Sequence, residues 1–164
     1  MGKIIKRIGA WLASVLAVGI LGVIFQTQNV IARLGDLGAD VGMGQRLSMT
    51  FYDIMHLGSL YTPFIAIALV IAFLAGGLLY RFMKFGRYII YLIAGAVAIL
   101  IMLFLMKRAF FGVHIINGAK DALGISLQVL AGAIGGWVFA HLTRNLIKTK
   151  ASSEKERGIE TLKA

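Results

Sequence analysis

The stretch that decides the fold is Tyr88–Met106, YIIYLIAGAVAILIMLFLM. It holds no Asp, Glu, Lys or Arg, and it stops at Lys107-Arg108. A helix of about 20 mostly apolar residues crosses the hydrocarbon core of a bilayer. A soluble domain has no use for such a segment, because one of its helix faces must meet water.

Three more runs of the same kind lie on either side. They are Ile8–Phe25, Pro63–Tyr80 and Ala122–Leu142, and none contains a charged residue. The chain has 164 residues, is 59% hydrophobic and has a mean hydropathy of +0.86, so four spans use most of it. The expected fold is all-α, an integral-membrane four-helix transmembrane bundle. Its transmembrane domain covers residues 1–147, with spans near 8–25, 63–83, 88–106 and 122–142. A polar tail, 148–164, follows.

Composition also excludes several chemistries. Ion-coupled transporters and proton relays carry ionisable groups inside the membrane, and these runs have none. With no cysteine, the chain cannot perform disulfide exchange or hold a thiolate-ligated metal or iron–sulfur cluster. No Ser–His–carboxylate set, paired carboxylates or metal-ligand cluster occurs at catalytic spacing. The expected catalytic and metal sites are therefore none, and the chain reads as no enzyme.

The net charge of +10 would suggest nucleic acid in a soluble protein. Here the basic residues follow the membrane topology. Lys3, Lys6 and Arg7 precede span one, and Arg81, Lys84 and Arg87 link spans two and three. Arg144, Lys148, Lys150, Lys155, Arg157 and Lys163 follow span four. That puts 12 of the 17 basic residues on one side, leaving Arg33, Arg46, Lys107, Arg108 and Lys120 on the other. Basic excess marks the cytoplasmic side, so both termini are expected there, in a bacterial inner membrane. Met1–Phe25 resembles a signal peptide, but its apolar stretch is long and no A-x-A site follows, so it reads as an uncleaved first span.

Between spans one and two, Gly35–Gly44 is glycine-rich and reads as loop. Gln45–Leu57 places Leu47, Phe51, Ile54 and Met55 on one helical face. That pattern predicts an amphipathic helix lying in the outer interface. Thr62-Pro63 reads as an N-cap with proline at the first helical position, and Asp121 can cap span four. A weak repeat (Gly76-Gly77 before Tyr80, Gly135-Gly136 before Phe139) would fit two duplicated hairpins.

The strongest pattern is a pair of small-residue seams. Span four has Gly124, Gln128, Gly132, Gly136 and Ala140 at every fourth position, and span two has Ala68, Ala72 and Gly76. Small residues let backbones approach where lipid supplies no hydrophobic drive between helices. Within the seam, Gln128 needs a polar partner. An interhelical hydrogen bond, a pore lining or a ligand contact would each provide one. His56 and His114 lie outside the spans on the outer side, where two imidazoles could serve a haem b or quinone site. Lys107 and Arg108 suit anionic lipid or snorkelling.

The leading functional reading is a scaffold, accessory subunit or homo-oligomer that works by helix packing. Its partners are the lipid bilayer and either copies of itself or another membrane protein, with no nucleic acid and no cofactor. A second reading is an oligomeric channel or carrier for a small solute. A third is a haem- or quinone-binding redox subunit using His56 and His114, whereas Gln128 and the outer loop would lie near the path of the channel or carrier.

Overall fold

The structure is a computed structural model that describes residues 2–83, 86–109 and 121–163, with side chains described over 4–83, 86–108 and 121–144. Among these residues it is all-helical, with four helices and no strand. They are α1 (Gly2–Asp36), α2 (Met43–Met83), α3 (Arg87–Ala109) and α4 (Ala122–Lys163). Each contains a stretch long and apolar enough to cross a membrane. The chain is a small multispan membrane protein.

The helices form a ring in chain order, α1–α2–α3–α4, and α4 closes back on α1, while the diagonal pairs barely touch. Neighbours run antiparallel. Gly22 meets Gln128 and Ser14 meets Gly135 across α1–α4, while Gly95 meets Gly132 and Tyr91 meets Gly136 across α3–α4.

The ends follow local chemistry. α1 stops in a Schellman motif. The Ala39 N–H reaches the Leu34 carbonyl at 3.0 Å, the Gly38 N–H reaches the Gly35 carbonyl at 2.9 Å, and Gly38 takes φ 86°. Only glycine adopts that backbone without strain. Gly42 caps α2, and the Gln45 side chain returns to its N–H at 3.3 Å. Asp121 caps α4 through the Gly124 N–H at 2.9 Å.

Three boundaries differ from the sequence reading. α1 runs 11 residues past Phe25, because Gln26, Thr27 and Asn29 are buried against other helices rather than solvated. Gly35 is consequently in the last turn of α1, not in loop. Residues 45–57 are helical as expected, but they are not a separate interfacial helix. α2 passes through Thr62-Pro63 without a break. Proline removes one backbone donor and crowds the carbonyl four residues back. Side-chain bonds flank the gap, with Thr62 Oγ1 donating to the Gly58 carbonyl at 2.6 Å and Ser59 Oγ to the His56 carbonyl at 2.8 Å. The tail 148–163 continues α4 as helix.

The core is built from one stripe per helix. It includes Val18 and Val23 of α1, Ile65 and Leu69 of α2, Ile99 and Met102 of α3, and Ala131 and Ala140 of α4. Toward the end that holds both termini, Phe73 stacks on Phe139 with centroids 4.2 Å apart, and Tyr91 packs against Phe139 tilted, at 5.0 Å, and against Phe73 edge-on. Outward-facing positions remain apolar, as with Leu16, Ile71 and Phe104. A bilayer solvates them.

Candidate functional site

Gln128 organises a deeply buried polar group. It is 1% exposed, and its Nε2 donates to the Gly22 carbonyl of α1 at 2.8 Å. Its Oε1 accepts from the Tyr61 hydroxyl of α2 at 3.2 Å. One amide thus ties three helices together. Space for it depends on Gly22, where a Cβ would lie 2.9 Å from Gln128 Oε1. The hydroxyl and amide satisfy each other where no water competes.

One to two turns further out, a second polar layer joins the same elements. Thr27 Oγ1 lies 2.8 Å from Asp53 Oδ2 of α2 and 3.0 Å from the Val23 carbonyl. With a single proton, the hydroxyl donates to one at a time. Gln28 Nε2 donates to Thr50 Oγ1 at 3.3 Å. Asp121 accepts from Asn29 Nδ2 at 3.2 Å and pairs with Arg33 at 2.8 Å. The Asp121 carboxyl is held below its ordinary range, first by the Gly124 N–H, then by the Asn29 amide and the Arg33 guanidinium, while desolvation opposes them. This carboxylate caps α4 and anchors α1 to it.

Glycine contacts make up the remaining arrangement. Gly132 and Gly95 face each other across α3–α4. A Cβ on Gly132 would lie 2.5 Å from the Gly95 carbonyl oxygen and 2.6 Å from Ile99 Cγ1. A Cβ on Gly136 would lie 2.7 Å from the Tyr91 carbonyl carbon and 3.0 Å from Leu92 Cα. Gly124, Gln128, Gly132, Gly136 and Ala140 are all buried. On α2, Gly76 is buried, whereas Ala68 and Ala72 are partly buried against the core. The fully buried stripe of α2 is instead Tyr61, Ile65, Leu69 and Phe73.

The histidines have a different setting. His56 is exposed, stacks on Tyr52 with centroids 4.0 Å apart, and its Nδ1 lies 3.0 Å from the Tyr52 carbonyl. His114 lies outside the described residues, so the two are not compared. No group of three His, Asp or Glu that could hold a metal occurs among the described residues. Lys107 and Arg108 are exposed in the last turn of α3.

No protein-family model, curated protein or solved structure matches the chain.

Sequence reasoning missed five partners: Tyr61 for Gln128, Asp53 for Thr27, Asn29 and Arg33 for Asp121, and Gly95 for Gly132. One signal was legible. Gln26, Asn29 and Arg33 recur at helical spacing after span one, which is how a polar stripe on a continuing helix looks.

Proposed function

We propose that the chain acts through helix packing, as a homo-oligomer or as an accessory or scaffold subunit beside another membrane protein. One observation carries this reading. Large exposed apolar side chains extend along α2 from Leu47 through Phe51, Met55, Ile67, Ile71 and Leu74 to Phe82. At 1.5 Å per residue these positions span about 52 Å along α2, against a hydrocarbon core of about 30 Å, with Leu47, Phe51 and Met55 on the opposite face of the helix from Ile67, Ile71, Leu74 and Phe82. The corresponding stretches are shorter elsewhere, about 24 Å on α1 (Ile4–Ile20), 26 Å on α3 (Tyr88–Leu105) and 28 Å on α4 (Leu123–Leu142). α2 alone carries roughly 20 Å of apolar surface beyond what lipid covers. A neighbouring helix of the same or another chain would cover Leu47, Phe51 and Met55.

The setting of Gln128 supports packing over conduction, because its amide bonds other helices. The excess of basic residues at the end with both termini supports a cytoplasmic placement of that end in a bacterial inner membrane.

Native mass spectrometry of the full chain in mild detergent tests the proposal. Masses at multiples of 17.8 kDa support a homo-oligomer, and a co-purifying second polypeptide supports an accessory role. A bare monomer whose state is unchanged in Leu47→Gln, Phe51→Gln and Met55→Gln overturns it.

A further inference from the structure

Among the described residues, the end of the bundle that holds both termini gathers positive charge without an anion paired to it. Arg87 opens α3 and is half-buried. One guanidinium nitrogen donates to Thr143 Oγ1 of α4, and the guanidinium carbon lies 5.6 Å from the centre of the Tyr91 ring. Its Nε is buried with no acceptor. The ionisable groups that act on its charge are Tyr91, Tyr80, Tyr88 and Arg7. Three are phenols, neutral at pH 7, and the fourth is another guanidinium.

Carboxylates are remote. Asp36, Asp40, Asp53 and Asp121 belong to the opposite end of the bundle, and the remaining acids are Glu154, Glu156 and Glu160. Glu154 is 11 residues beyond Thr143 along α4, about 16 Å away at 1.5 Å per residue. A second orphaned donor lies at the same level. Ser14 and Gly135 pack together, as do Tyr91 and Gly136, so Trp11 of α1 sits level with the start of α3. Trp11 Nε1 is also buried without an acceptor. Two guanidinium groups at one rim, with no carboxylate paired to them among the described residues, leave a positive charge that an external anion can balance.

We infer that this rim, formed by Arg87 at the start of α3 with Arg7 near the start of α1, beside Thr143 of α4, binds a phosphate group. A guanidinium presents paired donors matching phosphate oxygens, and basic pockets between helices at this depth suit headgroups. Both an anionic lipid headgroup and free phosphate supply that chemistry.

The test uses the full chain in mild detergent. Native mass spectrometry compares retention of phosphatidylglycerol with that of phosphatidylcholine. In parallel, melting is followed with inorganic phosphate against chloride at matched ionic strength. The wild type should retain phosphatidylglycerol over phosphatidylcholine, and Arg87→Gln should reduce that preference about tenfold, as for one lost charge-assisted hydrogen bond. Arg7→Gln should also reduce it, and because Arg7 is exposed its removal leaves the fold intact if Arg87→Gln does not fold. Arg108→Gln, at the other end, should leave it unchanged. Stabilisation by inorganic phosphate without lipid preference, lost in the same two variants, would assign the site to a soluble phosphate. Lipid preference that survives both variants, or that tracks Arg108, overturns the site, as does no response to either ligand.

Discussion

Gly132→Ala is the sharpest probe of how the bundle is held. The new Cβ would lie 2.5 Å from the Gly95 carbonyl oxygen. Ordinary contact begins at 3.4 Å, so α3 and α4 must separate by 3.4 − 2.5 = 0.9 Å at that point. The obstacle is backbone, which has no rotamer to move. A gap of about 0.5–1 Å forfeits a quarter to a half of the dispersion well for each atom pair, and dispersion is the main attraction between helices in lipid. One extra methyl in a packed core costs about 1–3 kcal/mol, and this site belongs at the upper end. Gly35→Ala is the matched control, since nothing lies within 4 Å of that position in α1. Both variants gain helix propensity, up to about 1 kcal/mol, so their difference isolates packing. Unfolding in mixed micelles, followed by helicity, should place Gly132→Ala about 3 kcal/mol below Gly35→Ala. Midpoints that agree to within about 0.5 kcal/mol, the usual spread of surface substitutions, would refute the argument. Gly95→Ala/Gly132→Ala should cost less than the sum of the singles, because the first methyl already parts the helices.

Gln128→Leu should lower stability by about 1–2 kcal/mol, since it strands the Tyr61 hydroxyl and removes the second hydrogen bond to the Gly22 carbonyl. A double-mutant cycle with Tyr61→Phe, read by the same unfolding assay, should give a coupling near 1 kcal/mol; zero coupling would mean the two do not bond. The depressed Asp121 carboxyl implies stability that is complete above its unfolded value of 3.8 and lost as pH falls through its lower folded value. Melting the wild type between pH 2 and pH 6 should reveal that loss, and Asp121→Asn should flatten the acid limb; identical acid limbs would contradict it. Pro63→Ala should raise stability by up to about 3 kcal/mol, because a continuous α2 regains a backbone donor. Hydrogen exchange around Ser59 would then slow, whereas unchanged exchange would indicate a break at Pro63.

Much of the fold was legible because its spans are long and uncharged, and because membrane crossing tolerates few alternatives. The four runs locate all four helices. Their ends were harder to read. Thr62-Pro63 has the local chemistry of a helix start, yet α2 runs through it, with the Thr62 and Ser59 side chains bonded to backbone carbonyls that precede the missing donor. Thr27 and Asn29 look like loop residues until their partners Asp53 and Asp121 are known. Those partners lie up to 92 positions away, and helical spacing within one segment cannot reveal them. The same limit applies to Gly132. Its spacing marks a close approach, but only the three-dimensional arrangement identifies Gly95 as what approaches.

The polar groups divide in a way that bears on function. Gln128, Tyr61, Thr27 and Asp53 are spent in joining α1, α2 and α4, with donor facing acceptor. Broken singly, such contacts leave a stranded group in a medium without water, so they fix one arrangement of the helices. A carrier that alternates between states would need such contacts to break and reform in each cycle. A bundle braced by an amide across three helices and by backbone-to-backbone glycine contacts across α3 and α4 is built to keep its shape. What it then offers a neighbour is a fixed surface, and on the proposed reading the part that a second helix covers is the stretch of α2 that exposes Leu47, Phe51 and Met55. Rigidity there favours association, because little conformational freedom remains to be lost when a second helix docks.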